Sequence, residues 1–189
     1  MSSHDTSFTD SVSNDASAEE SRGPSGARRT ANCPPVLVMG IGNILLRDEG
    51  VGVRVIEAMV RLDLPQDVEL VDAGTAGADL VECIADREKV IVVDALEAEA
   101  APGTVFRLRG DELLPDPGSS ISLHQLGLVE SLVMAEQMGC SPREVIVFGI
   151  QPGEIRPGLE LSSEVERVIP KVVATVREEL SLAPVDSDG

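Results

Sequence analysis

Apolar and polar positions along the middle of this chain follow two rhythms, and the switches between them mark out its elements. Val36–Gly40 is a short, unbroken apolar run closed by glycine, the pattern of a strand buried on both faces. Val51, Val55, Ile56, Met59 and Val60 then recur at helical spacing, with Arg54, Glu57 and Arg61 facing the other way. Val68–Asp72 predicts a second strand, and a helix follows from about Ala78 to Ala85 with Leu80, Val81 and Ile84 on one side. Lys89–Asp94 is the strongest strand of the set. After the Pro102-Gly103 turn, the alternation of Val105 and Arg107 predicts an edge strand over Thr104–Leu108. Gly110–Leu123 reads as a loop, long for a compact domain, and loops of that length are often functional. His124–Met138 predicts a helix, Glu144–Gly149 a fifth strand and Ser163–Leu180 a final helix. Ser163 and Glu166 have capping-box spacing at its start, and Pro170 is expected to kink or split it.

Strands alternating with helices predict an α/β fold. The expected form is a single-domain three-layer sandwich over residues 35–182: a mostly parallel, twisted sheet of about five strands with helices on both faces. Residues 1–34 form an acidic, Ser-rich segment with little to bury beyond Phe8 and Val12, and 183–189 are similar; both are expected to be disordered. Arg28-Arg29 ahead of the apolar run Val36–Leu46 has the outline of a twin-arginine export signal. Gly40, Gly42 and Asn43 interrupt that run, and Arg47-Asp48-Glu49 ends it, so it reads better as the first strand and turn. No segment approaches the roughly 20 apolar residues that span a bilayer. A cytoplasmic protein is expected.

Composition sharpens this picture in three ways. Hydrophobic residues make up 42% and aromatics only 2%, so the core must be aliphatic, which close packing accommodates. The net charge is -18, and residues 1–32 contribute only -2 of it, so the folded part is strongly acidic. Such a surface repels phosphate backbones and anionic headgroups, which disfavours nucleic acid and membrane and favours metal cations or a basic protein partner. Cys33, Cys83 and Cys140 are widely spaced, with no CxxC, so neither a disulfide framework nor a zinc knuckle is indicated. Free cysteines fit a reducing compartment.

In parallel sheets, ligands sit beyond the carboxyl ends of the strands. Three groups lie where that rule points: Asp48-Glu49 in the turn after the first strand, Asp94 at the end of the third, and His124 after the long loop. Glu49, Asp94 and His124 would make a mixed O,O,N set suited to nickel, zinc or iron, with positions left open for solvent or substrate. Each also has an ordinary reading. Asp48 can N-cap the first helix with Glu49 complementing its dipole, Asp94 can cap a turn, and His124 can be a surface or capping residue. The residues alone leave both readings open.

Two rivals are weaker. Gly40-Ile41-Gly42 after a strand, with Asp72 ending the second, has the outline of a dinucleotide fingerprint. Leu45, however, occupies the third glycine position, and Asp48 and Glu49 place negative charge where pyrophosphate should bind. A Ser-His-Asp hydrolase lacks a GxSxG elbow, and Ser119, Ser120 and Ser122 sit in no recognisable nucleophile turn.

GIGNILLRDEGVGVRV (Gly40–Val55), DAGTAG (Asp72–Gly77), VVDAL (Val92–Leu96) and SLHQLGL (Ser122–Leu128) together resemble the NiFe-hydrogenase maturation endopeptidases in order and spacing. The resemblance runs from about Val36 to Leu180. It implies that Glu49, Asp94 and His124 are both the metal-binding and the catalytic positions, and that Asp72, Gly74, Thr75, Gly42 and Asn43 lie near substrate. It further implies an endopeptidase that removes the C-terminal extension of the nickel-loaded large-subunit precursor of a NiFe hydrogenase. The nickel would be presented by the substrate, with no permanently bound metal, although a divalent ion such as Ni, Zn or Cd would fit the site. The expected partner is that precursor, met by a monomer. The alternatives are a non-proteolytic nickel-binding maturation factor, against which the absence of His-rich tracts counts, and, further behind, a dinucleotide-binding Rossmann-like enzyme.

Overall fold

The computed structural model describes residues 34–75, 80–113 and 123–181, without the side chains of residues 123–125. Five strands form one sheet: β1 (Val36–Ile41), β2 (Val68–Gly74), β3 (Lys89–Ala95), β4 (Val105–Arg109) and β5 (Glu144–Ile150), in the order β2-β1-β3-β5-β4. The first four in that order are parallel, and β4 closes the edge antiparallel to β5. The α/β expectation holds, and the alternating edge pattern of Val105 and Arg107 does mark an edge strand. The terminal segments expected to be disordered lie outside the described residues, apart from Pro34.

Continuous apolar strands need cover on both faces, and the helices supply it. On one face, Val38, Ile91, Val93, Ile146, Phe148 and Ile150 pack with α1 (Val51–Met59) and α5 (Ile169–Leu180). On the other, Leu37, Met39, Ile41, Val90, Val92 and Val147 pack with α2 (Leu80–Ile84) and α3 (Leu123–Met138). Neighbouring residues of one strand thus enter opposite halves of the core, as the period of two requires. Among the described residues, no helix is long and apolar enough to cross a membrane.

One local expectation holds and two are corrected. The final helix is two: α4 (Ser163–Glu166), then α5 with Pro170 in its first turn, where a missing N–H costs nothing. The N-cap of α4 is Ser162, not Ser163; its side chain accepts a hydrogen bond from Val165 N at 3.4 Å. Finally, Gly110–Leu113, expected as loop, forms a 3-10 turn, and residues 114–122 lie outside the described part.

Each of the four parallel strands runs one or two residues past its expected end, to Ile41, Gly74, Ala95 and Ile150. These extra residues all belong to the carboxyl edge. At the far edge, the buried Lys89 ammonium sits 2.8 Å from Glu179 and 3.1 Å from Glu144, tying α5 to the sheet and compensating a charge that would otherwise be costly.

Candidate functional site

Close packing of backbone on backbone fixes the turn between β1 and α1. A Cβ on Gly40 would lie 2.3 Å from Gly52 O, and one on Gly52 would lie 2.2 Å from Val93 O, so α1 presses onto β1 and β3 through Gly52. This close approach, which Leu45 seemed to forbid, is made seven residues later than in a dinucleotide fingerprint. Gly42 has φ +142°, and a Cβ there would meet Glu49 O at 1.9 Å. Only glycine allows the strand end and the acidic turn to lie so near each other.

Asn43 shapes the same turn. Its side-chain oxygen accepts from Leu45 N at 3.0 Å, its carbonyl accepts from Leu46 N at 3.0 Å, and its own N–H donates to Glu49 O at 3.2 Å. Glu49 therefore sits, half-buried, on a 3-10 turn (Arg47–Gly50) whose backbone is held from both sides.

Asp94 is the next-to-last residue of β3, paired with Gly149 of β5, and only 3% exposed. Its Oδ1 accepts a 2.8 Å hydrogen bond from Ala95 N. Burial pushes its carboxyl well above the ordinary carboxylate range; the Ala95 hydrogen bond opposes this, and the negative charge of Glu49 adds to it. Two carboxylates from separate elements thus influence each other at the carboxyl edge.

Next to them, β1 and β2 shift register: Gly40 pairs with Asp72, but Ile41 pairs with Gly74. Gly42 N donates to Gly74 O at 2.7 Å, and the Asp72 Oδ1 accepts from Gly74 N at 2.9 Å. Asp72 and Thr75 are exposed there, while Gly42 is buried and Gly74 and Asn43 lie between. Gly42, Asn43, Glu49, Asp72, Gly74, Thr75 and Asp94 accordingly all fall on one edge of the sheet.

His124 opens α3, whose last turn leads into the start of β5, so its first turn lies at the opposite, carboxyl edge of the sheet. Its side chain is outside the described residues. Among the described residues, no three His, Cys, Asp or Glu side chains come together as metal ligands.

Sequence reasoning missed Asp48. It does not N-cap α1: Gly50 occupies that position and makes no side-chain cap. Asp48 instead turns inward and is fully buried. Its Oδ1 accepts from Ser162 N (2.6 Å), and its Oδ2 accepts from Ser162 Oγ (2.7 Å), Gly153 N (2.8 Å) and Glu154 N (2.8 Å). Burial acts to raise its pKa, but the hydrogen bonds from Ser162, Glu154 and Gly153 outweigh this and hold it below the ordinary value. The turn bearing Glu49 is thereby fastened to the β5–α4 loop. Gln151, also buried, plays a similar part on the other side, its Oε1 accepting from Ala98 N at 2.8 Å and Ala100 N at 3.2 Å. Both bridges span fifty residues or more of sequence, and no local pattern announces them.

A family model described as hydrogenase maturation protease (HycI) matches residues 53–179. The hydrogenase 2 maturation protease of Escherichia coli is 40% identical over 149 residues, covering 76% of this chain and 91% of that protein. Among solved structures, the hydrogenase maturating endopeptidase HybD from Escherichia coli superposes with a TM-score of 0.71 at 36% identity, covering 77% of this chain and 91% of that one. The NiFe-hydrogenase maturation protease HybD from Thermococcus kodakarensis superposes with a TM-score of 0.63 at 27% identity, covering 78% and 99%.

Proposed function

Because this chain belongs to the hydrogenase maturation protease family, we propose that it is the endopeptidase that trims the C-terminal extension from a nickel-loaded NiFe-hydrogenase large-subunit precursor. The observation that carries the metal part of this reading is the electrostatic coupling of Glu49 and Asp94, the second of them buried. Burial beside a like charge disfavours the ionised form of Asp94, and a divalent cation held between the two carboxylates would offset that penalty as a proton otherwise does. The donor chemistry fits such an ion: two carboxylate oxygens, with the His124 imidazole as the third ligand in this reading.

Nickel belongs to the substrate here, carried in by the client rather than kept by the enzyme. Bound at the edge, it supplies Lewis-acid polarisation and a fixed reference point for the segment to be cut. The chain's own residues do the rest. Glu49 and Asp94, each on a rigid strand end or turn, hold the reference point in place. Glu49, the more accessible of the pair, takes the proton of the attacking water. The exposed Asp72 and Thr75, beside the register shift at Gly74, contact the client next to the cleavage point. The enzyme works as a monomer in the cytoplasm, a reducing setting that suits the free thiol of Cys140.

The reading is tested by incubating the protein with a nickel-loaded large-subunit precursor and following the precursor's intact mass. Loss of a C-terminal peptide with the wild type, and none with His124→Ala, is the expected result. Nickel binding without any shortening would replace the protease reading with that of a nickel-binding maturation factor.

A further inference from the structure

Glu49 and Asp94 stand on different elements, yet the start of the β5–α4 loop touches the supports of both. Gln151, 3% exposed, fills every hydrogen-bonding position of its side-chain amide. Its Oε1 accepts from Ala98 N (2.8 Å) and Ala100 N (3.2 Å), and its Nε2 donates to Glu97 Oε1 (2.8 Å) and Pro152 O (3.2 Å). Its backbone closes the far end of the same segment: Gln151 N donates to Thr104 O and Gly103 N donates to Gln151 O, both at 2.8 Å. The segment so held, residues 96–104, begins just beyond Asp94. A little further along the loop, Gly153 N donates to Asp48 Oδ2 at 2.8 Å, and Asp48 precedes Glu49.

The two ties meet at Gly153. A Cβ there would lie 3.1 Å from Pro102 Cβ, 3.3 Å from Ser162 Oγ and 3.4 Å from Asp48 Oδ2. The segment after β3, the cap of α4 and the anchor of the Glu49 turn therefore crowd around one backbone position. At the other end, Gly149 pairs with Asp94 and lies under Leu96, whose Cδ2 would be 2.5 Å from a Cβ on that glycine. Leu96 N also donates to Ile150 O at 2.8 Å. A continuous run of hydrogen bonds and close contacts through residues 149–154 thus joins the strand end bearing Asp94 to the turn bearing Glu49. Geometry of this kind matters to a site built on two carboxylates, because a displacement of about 1 Å at a reacting centre costs roughly a hundredfold in rate.

Resting on the protease reading, we infer that Gln151 is a positioning residue for cleavage: through the β5–α4 loop, and together with Asp48, it fixes the separation of Glu49 and Asp94. It acts on the supports of the two carboxylates and contacts neither of them. The only side chain among its partners is Glu97, so this one hydrogen bond can be broken and rebuilt by substitution.

The test uses the full chain and intact nickel-loaded precursor. Gln151→Glu keeps the shape and both acceptor roles but turns the donor facing Glu97 into a carboxylate oxygen. Well below its own melting temperature, it should lower kcat about a hundredfold while KM stays within about twofold of the wild type. Glu97→Gln alone still accepts from Gln151 and should cut at the wild-type rate. Gln151→Glu/Glu97→Gln rebuilds the bond with donor and acceptor exchanged, and should bring kcat back to within about fivefold of the wild type. Gln151→Met, which keeps the volume and buries no charge, takes the place of the glutamate variant if that one does not fold, and should show the same loss of kcat. A wild-type kcat in the position-151 variants, with only the melting temperature lowered, overturns the inference. So does a slow Glu97→Gln, whose hydrogen bond is intact, or a double variant no faster than Gln151→Glu. Amide exchange reads the same link without turnover: the position-151 variant should exchange faster in residues 94–100 and also in 47–50, across the bridge. Exchange in 47–50 left at the wild-type level overturns the inference whatever the activity. Faster exchange on both sides, with no cleavage even by the wild type, keeps the link between the two carboxylates and sinks the protease reading instead.

Discussion

Glu49→Gln is expected to fold normally and to cut precursor about a thousandfold more slowly than the wild type, or not detectably. The substitution is nearly isosteric, and backbone bonds from Asn43 and Leu46 and Gly42's close approach shape the turn that carries residue 49. Stability should therefore hold while charge is lost. With position 49 neutral, the repulsion that helps push the Asp94 carboxyl upward also disappears, so nickel would meet one anionic ligand instead of two. Single-turnover cleavage, followed by mass, separates the slowed chemistry from weaker precursor binding. Full activity in Glu49→Gln would remove this residue from both roles.

Asp48→Asn should produce the second large effect, and of a different kind. A fully buried carboxylate here accepts four hydrogen bonds from the β5–α4 loop and its cap. An amide offers one acceptor oxygen and places an NH2 group against N–H donors. Leaving several donors unpaired in a closed site costs about 3 kcal/mol, roughly a 10 °C drop in melting temperature for a domain of this size. Cleavage should suffer as well, since the turn bearing Glu49 loses its fastening. The sign of the pH dependence follows from the lowered pKa of Asp48. Its contribution is present above the unfolded-state value near 3.8 and fades as pH falls through the lower folded value. The wild-type advantage over Asp48→Asn should thus be full at pH 6 and shrink only in strong acid. Equal melting temperatures for the two proteins at neutral pH would show that the buried bonds contribute nothing net.

Most of the sheet was legible in the sequence because β1, β3 and β5 are buried on both faces along most of their length and so read as nearly unbroken apolar runs. Their ends were less legible. Ile41, Gly74, Ala95 and Ile150 extend the strands into residues whose polar neighbours look like loop, and the site lies at those ends. Pro170 split the last helix as expected, but the cap fell one residue earlier, where Ser162 both caps α4 and donates to Asp48. Helix α3 was found by composition rather than by its face: Leu126, Val133, Met134 and Met138 are exposed apolar residues on it, so no one-sided pattern says which way it turns.

For the site, the chain order of glycine turn, strand-end Asp94 and helix-opening His124 carried the placement, because the carboxyl-edge rule converts topology into position. Asp48 escaped for a physical reason. An acid before a helix has a sufficient local explanation in capping, and the long-range donors that actually claim it lie more than a hundred residues away.

The central claim is that this protein cuts its client by reading nickel the client already carries. It is met most directly by presenting the wild-type protein with the same large-subunit precursor in nickel-loaded and metal-free forms and recording intact mass over time. The nickel-loaded precursor should lose its C-terminal peptide, while the metal-free one stays whole even when the enzyme has been preincubated with free nickel. Equal cutting of both forms would contradict the account, leaving a peptidase to which the metal means nothing.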